Sequence, residues 1–186
     1  MTSLLLQLWP ELTLVATACV LLVLGSLGGP ARARSLAPLL SALVLAVVGA
    51  YHLYAWGNVL DDKTLTNALA GGMTAQFIKA LTAFAGILFV LLAWPTRGTG
   101  GENGALAVGG ETAEYFALLL LSLTGLMLTA GANNLILLFL AIELASIPTY
   151  IMVSISRPLP VAQEAGVKYF FLGALSAAVM LLGFSY

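Results

Sequence analysis

Read for apolar and polar positions, the chain divides into six oily stretches separated by short polar breaks. The stretches run over Leu4–Leu27, Leu36–Trp56, Phe77–Trp94, Tyr115–Gly131, Leu135–Ile155 and Val161–Tyr186. A helix needs about 20 mainly apolar residues to cross a bilayer, and each stretch meets that length or comes close. The breaks carry the residues that stop helices: "GSLGGP", "GNVLDDK", "PTRGTGGENG", "GANN" and "RPLP". The pattern predicts an all-α integral membrane bundle of about six transmembrane helices, forming one domain over residues 1–186.

Composition supports that solvent. Of the 186 residues, 61% are hydrophobic and 8% are charged, against about 25% charged in an ordinary soluble domain. A water-soluble globule of this composition would expose large apolar patches. Net charge is −1 with no basic tail, which argues against nucleic acid as a partner and leaves the lipid bilayer as the surroundings. The single cysteine, Cys19, lies inside an apolar run and forms no intrachain disulfide. No Lys or Arg precedes the first stretch, and Glu11 stands near its start. A retained first span therefore fits better than a cleaved signal.

Tryptophans and basic residues add orientation. Trp9, Trp56 and Trp94 all fall near expected span ends, where an interfacial aromatic belt would place them. The loops after spans 1, 3 and 5 hold Arg32, Arg34, Arg97 and Arg157. The other side has Lys63 and, at the edge of span 3, Lys79. That asymmetry puts the first side in the cytoplasm and both termini outside.

Motifs for soluble chemistry are missing. The Gly-rich segment 95–112 has neither phosphate-cradling spacing, G-x-x-x-x-G-K-[ST] or G-x-G-x-x-G, and reads as a flexible loop. No Cys/His cluster has metal-ligand spacing, so no metal is expected. The one histidine, His52, neighbours Tyr51, Tyr54 and Trp56 near a span end. An interfacial histidine with a water or backbone partner is favoured there over a proton relay.

Most charges fall in loops or at span edges, but Glu143 does not. In "FLAIELASIPTYIMV", a helix starting near Asn134 places it about 13 Å deep, near the midplane of a core whose half-thickness is about 15 Å. An ionised acid there costs about 2.5–3.5 kcal/mol on insertion scales. Lys168, on the next span, is one conceivable partner, about 8 Å away in depth by the helical rise. Glu164 lies one turn before Lys168, at the spacing where the two can pair. Two readings stay open. In one, Lys168 snorkels beside Glu164 and Glu143 is a protonated packing residue. In the other, Glu143 and Lys168 form a proton-relay step, with the lysine tuning the acid's proton affinity. Pro148, five residues after Glu143, frees the carbonyl of Leu144 and lends weak support to a hydrated path. Gly173 and Ala177 make a small-residue pair suited to close helix approach.

At these residues a family resemblance emerges. "EYFALLLLSLTGLMLTAGANNLILLFLAIELASIPTYIMVS", followed by "AGVKYFFLGALSAA", resembles the antiporter-like membrane subunit N of proton-pumping NADH:quinone oxidoreductase, respiratory complex I. "WPELTL" at Trp9–Leu14 resembles that subunit's first span. The resemblance implies that Glu143 and Lys168 belong to the charged axis of the membrane arm. It implies a subunit of a proton-translocating enzyme in the inner (plasma) membrane of the cell, surrounded by other membrane subunits. No redox cofactor is expected on this chain, with quinone, FMN and iron–sulfur clusters held elsewhere in the complex. The family's members are far longer, with about fourteen spans in two inverted repeats, so six spans supply only the start of the antiporter-like fold. Rival readings are a subunit of a related Na⁺/H⁺ antiporter or membrane-bound hydrogenase complex, and a non-transporting membrane scaffold.

Overall fold

The computed structural model describes residues 2–27, 30–58, 72–94, 112–156 and 159–186. Residues 95–111 of the Gly-rich segment, with Lys63, Arg97 and Arg157, lie outside the described residues, as do the side chains of Arg32 and Arg34. Six helices follow in chain order: α1 Thr2–Leu27, α2 Pro30–Asn58, α3 Met73–Leu92, α4 Thr112–Gly131, α5 Leu135–Ile155 and α6 Pro160–Phe184. Each is long and apolar enough to cross a membrane, and no β-sheet forms among the described residues.

Helix α4 is the hub. It packs against α1, α2, α3 and α5, whereas among the described helices α6 touches α5 alone. The core is accordingly a four-helix unit. It joins Leu14, Ala18 and Leu21 of α1 to Leu45 and Val48 of α2, Ala83 and Val90 of α3, and Phe116, Leu120, Leu123 and Met127 of α4. The α1 residues recur at intervals of three and four, the spacing that lines one face of a helix. In lipid, water does not drive such association, so close van der Waals contact must.

The α5–α6 hairpin lies on the outer flank of α4. Asn134 caps α5, its side chain accepting a hydrogen bond from the Leu137 N–H at 2.7 Å, which satisfies one of the free donors at a helix start. The buried face of α5 is Ala141, Ala145 and Pro148. It meets α4 at Gly125, where an added Cβ would stand only 2.7 Å from the Ala145 Cα. Nothing larger than glycine fits there without moving a backbone. On α6, Gly166 is the one buried residue.

Two contact points fix how α6 lies on α5. Gly166 sits against Ser154, with a built Cβ 2.8 Å from the serine Cβ, and Gly173 accommodates the Tyr150 phenol. Gly173 thus receives a side chain, where the small-residue pattern had implied approach of two helix backbones. Tyr150 also stands edge-on to Tyr169, ring centroids 4.7 Å apart.

Candidate functional site: two sets of intramembrane charges

Glu143 begins the ninth position of α5 counting from Leu135, so it lies well inside the span. Helical rotation of about 100° per residue puts it roughly 200° from Ala141, on the side away from α4. The same stripe carries Tyr150 and Ser154, seven and eleven residues on, and these two contact α6. Glu143 therefore shares the α6-facing side of α5 and is half-buried.

Lys168 is not its neighbour. Gly166 and Gly173 mark the α5-facing side of α6, and Lys168, two residues past Gly166, is rotated roughly 200° away from it. Its level on α6 matches about Met152 of α5, nine residues beyond Glu143, so the axial gap is about 13 Å. That exceeds the about 8 Å obtained by counting from loop ends, because the Ser154–Gly166 contact fixes the register. Lys168 Nζ instead donates to Glu164 Oε1 at 2.5 Å across one helical turn, and both side chains are well exposed.

Around Pro148, hydroxyl groups gather on backbone carbonyls. Ser122 of α4 donates to the Ala145 carbonyl at 2.9 Å. Within α5, Ser146 donates to the Ile142 carbonyl at 2.8 Å and Thr149 to that of Ser146 at 2.6 Å. Pro148 supplies no N–H for the Leu144 carbonyl, and these three hydroxyls donate to the carbonyls of Ala145, Ile142 and Ser146 instead. Glu143 stands within this polar segment, one residue after Ile142.

A second set of charges lies among α1, α2 and α3. Lys79 Nζ donates to Glu11 Oε1 at 2.6 Å, and both side chains are buried. Beside them His52 is 1% exposed, with its Nδ1 2.7 Å from the amide oxygen of Gln76. Two expectations are corrected here. Lys79 is no span-edge residue, because α3 begins at Met73 and carries it more than a turn inward. His52, expected to meet water or backbone, is enclosed by protein, and the Gln76 side chain holds its Nδ1. The signal for Lys79 was present in the sequence. The buried face of α3 is Ala75, Lys79, Ala80, Ala83, Gly86 and Val90, and the lysine occupies a helical stripe otherwise made of small or apolar residues. Glu11 likewise precedes Leu14, Ala18 and Leu21 on the core face of α1. Among the described residues, no group of three His, Cys, Asp or Glu could hold a metal ion.

With this geometry in place, the chain's relatives can be set beside it. A family model described as "NADH:quinone oxidoreductase/Mrp antiporter, TM" matches residues 132–186. NADH-quinone oxidoreductase subunit N of Alkalilimnicola ehrlichii is 33% identical over 177 residues, 95% of this chain and 34% of that protein. The respiratory complex I of Thermus thermophilus contains a chain of like fold, with TM-score 0.69 and 26% identity over 94% of this chain and 35% of that one. Along nearly its whole length the chain is similar to antiporter-like membrane subunits of NADH:quinone oxidoreductase. F(420)H(2) dehydrogenase subunit N of Methanosarcina mazei is also similar, at 32% identity over 97% of this chain and 36% of that protein. The chain spans about a third of the length of these relatives. Six apolar helices and likeness to these membrane subunits make it a multi-pass membrane protein.

Proposed function

We propose that the chain forms the N-terminal portion of a complex I subunit N and contributes to proton translocation coupled to quinone reduction. The observation that carries this reading is a mid-span carboxylate, Glu143, placed on the α6-facing side of a proline-containing helix. An acid held in lipid at a cost of a few kcal/mol is retained for function by default, and its proton is the group it can exchange. Glu143 and Lys168 act as separate stations of the relay, since about 13 Å of helix lies between their levels. The Glu164 carboxylate holds Lys168 at the second station, and the hydroxyls around Pro148 favour water beside the first. The complex acts as a translocase, with FMN, iron–sulfur clusters and quinone on other subunits and no redox centre on this chain. The wholly exposed outer side of α6 would lie against other membrane segments of the assembly. The chain resides in the cell's inner (plasma) membrane with its N-terminus on the non-cytoplasmic side.

Glu143→Gln tests the reading, because it keeps the shape and removes the proton. In the assembled complex, pumping should fall sharply while subunit content stays near normal. Normal pumping in an intact assembly would transfer the chain to the scaffold reading. The resemblance to an F(420)H(2) dehydrogenase subunit favours a second form, in which the same membrane element serves a complex with another electron donor. A membrane-bound hydrogenase complex belongs to this second form, and a Na⁺/H⁺ antiporter complex, which takes no electrons, stands beside it as a further rival. Identifying the subunits that co-purify with the chain separates them.

A further inference from the structure

Glu11 and His52 each keep one buried polar atom without a protein partner: Glu11 Oε2 and His52 Nε2. The chemistry of these two atoms is the same. A carboxylate oxygen only accepts, and Glu11 Oε1 is already taken by Lys79. His52 Nδ1 faces the amide oxygen of Gln76, which only accepts, so the ring proton sits on Nδ1 and Nε2 presents a lone pair. Two acceptors cannot satisfy each other, and a buried acceptor left alone is costly. One water molecule has two O–H donors and satisfies both. Gln76 and Lys79 stand three residues apart on α3, about one helical turn, so the His52–Gln76 and Glu11–Lys79 contacts lie side by side and the four side chains make one site.

We propose that Glu11 Oε2 and His52 Nε2 hold an ordered water between them, and that this water-linked pair is a proton-exchanging site separate from Glu143. Its fixed charges sum to zero while the ring is neutral, because Glu11 and Lys79 cancel. A proton arriving from solvent leaves a hydronium oxygen, crosses the bound water and bonds to the Nε2 lone pair, and the site then carries one positive charge beside the Glu11 carboxylate. Among the described residues, every element packed around it is accounted for. Glu11 comes from α1, Tyr51 and Tyr54 flank the histidine on α2, and Lys79 comes from α3. The titratable groups of α4, Glu114 and Tyr115, lie at its opposite end, where Glu114 meets Gly25 of α1. An aromatic cluster borders the site, with Trp9 edge-on to Tyr51 at 4.7 Å and Tyr51 edge-on to His52 at 5.4 Å. The inference holds whether or not Glu143 relays protons, and its test does not use pumping.

His52 is the chain's single histidine, so ¹⁵N-histidine labelling reports on this ring alone. The full chain in lipid bilayers is examined by solid-state NMR. At neutral pH the expected spectrum shows Nδ1 protonated, Nε2 unprotonated, and magnetisation passing from water to Nε2. On acidification Nε2 gains a proton. In Glu11→Gln the water-to-Nε2 transfer is lost or clearly diminished, because one of the water's two acceptors has become a neutral amide. A ring with Nε2 protonated at neutral pH, no water transfer in the wild type, or one protonation state throughout the accessible pH range would overturn the proposal. The wild-type spectrum decides the matter even if the variant does not fold.

Discussion

The two sets of intramembrane charges occupy opposite kinds of environment. Glu11 and Lys79 are buried in the packed α1–α4 unit and satisfy each other at 2.6 Å. Glu143 and Lys168 sit on the α5–α6 flank, on different sides of their helices and at different depths. Linear depth along a span ranks these residues in the reverse order of their enclosure. Glu143 is the deeper by count, yet it is only half-buried by protein; Glu11 is near the start of its apolar run, yet 2% exposed. Which face of the helix a charge occupies, and whether α4 covers that face, decides its surroundings. The first set is enclosed and paired within the packed helices, and the second lies on a flank that α4 does not cover.

That contrast is sharpest in function for Glu143→Gln. Loss of one positioned acid–base group slows its proton-transfer step by about 10²–10⁴-fold, so pumping by the assembled complex should drop while assembly persists. Next in size is Lys79→Met, which strands Glu11 as an uncompensated buried acid. Breaking one side of a buried pair costs about 3–5 kcal/mol, so thermal unfolding in detergent should come at clearly lower temperature. Adding Glu11→Gln to Lys79→Met should recover much of the loss. If the double variant is no more stable than the single, the pair is not coupled and the contrast fails. Gly125→Ala probes the joint between the two regions. Overpacking against Ala145 should cost about 1–3 kcal/mol, read as lowered stability. Lys168→Met has the smallest predicted effect on stability, below about 1 kcal/mol, because its pair with Glu164 is exposed. A large loss of stability there would mean that α6 is buried against something in the assembly.

The architecture was legible in the chain because each helix is a nearly unbroken apolar run closed by glycine, proline or polar residues. Asn134 was readable as the α5 start, and the structure makes it the cap. Pairing of charges was not legible by the same means. Glu11 and Lys79 are 68 positions apart, and only the packing of α1 beside α3 across the core brings them together. Treating Lys79 as an edge residue also discarded the face information in Ala75, Ala83 and Gly86, which share its stripe. For Glu143 and Lys168 the error was one of register. Counting from loop ends ignores how Ser154 and Gly166 interlock, and rotation about the helix axis does not enter such a count at all.

The most direct test is isotope-edited infrared difference spectroscopy of the glutamate carboxyl groups in the assembled complex during turnover, with Glu143→Gln as the subtraction. The account predicts a carboxyl C=O band that appears and disappears with turnover and is missing from the variant. A wild-type spectrum with no such band, or one that Glu143→Gln leaves unchanged, would contradict it.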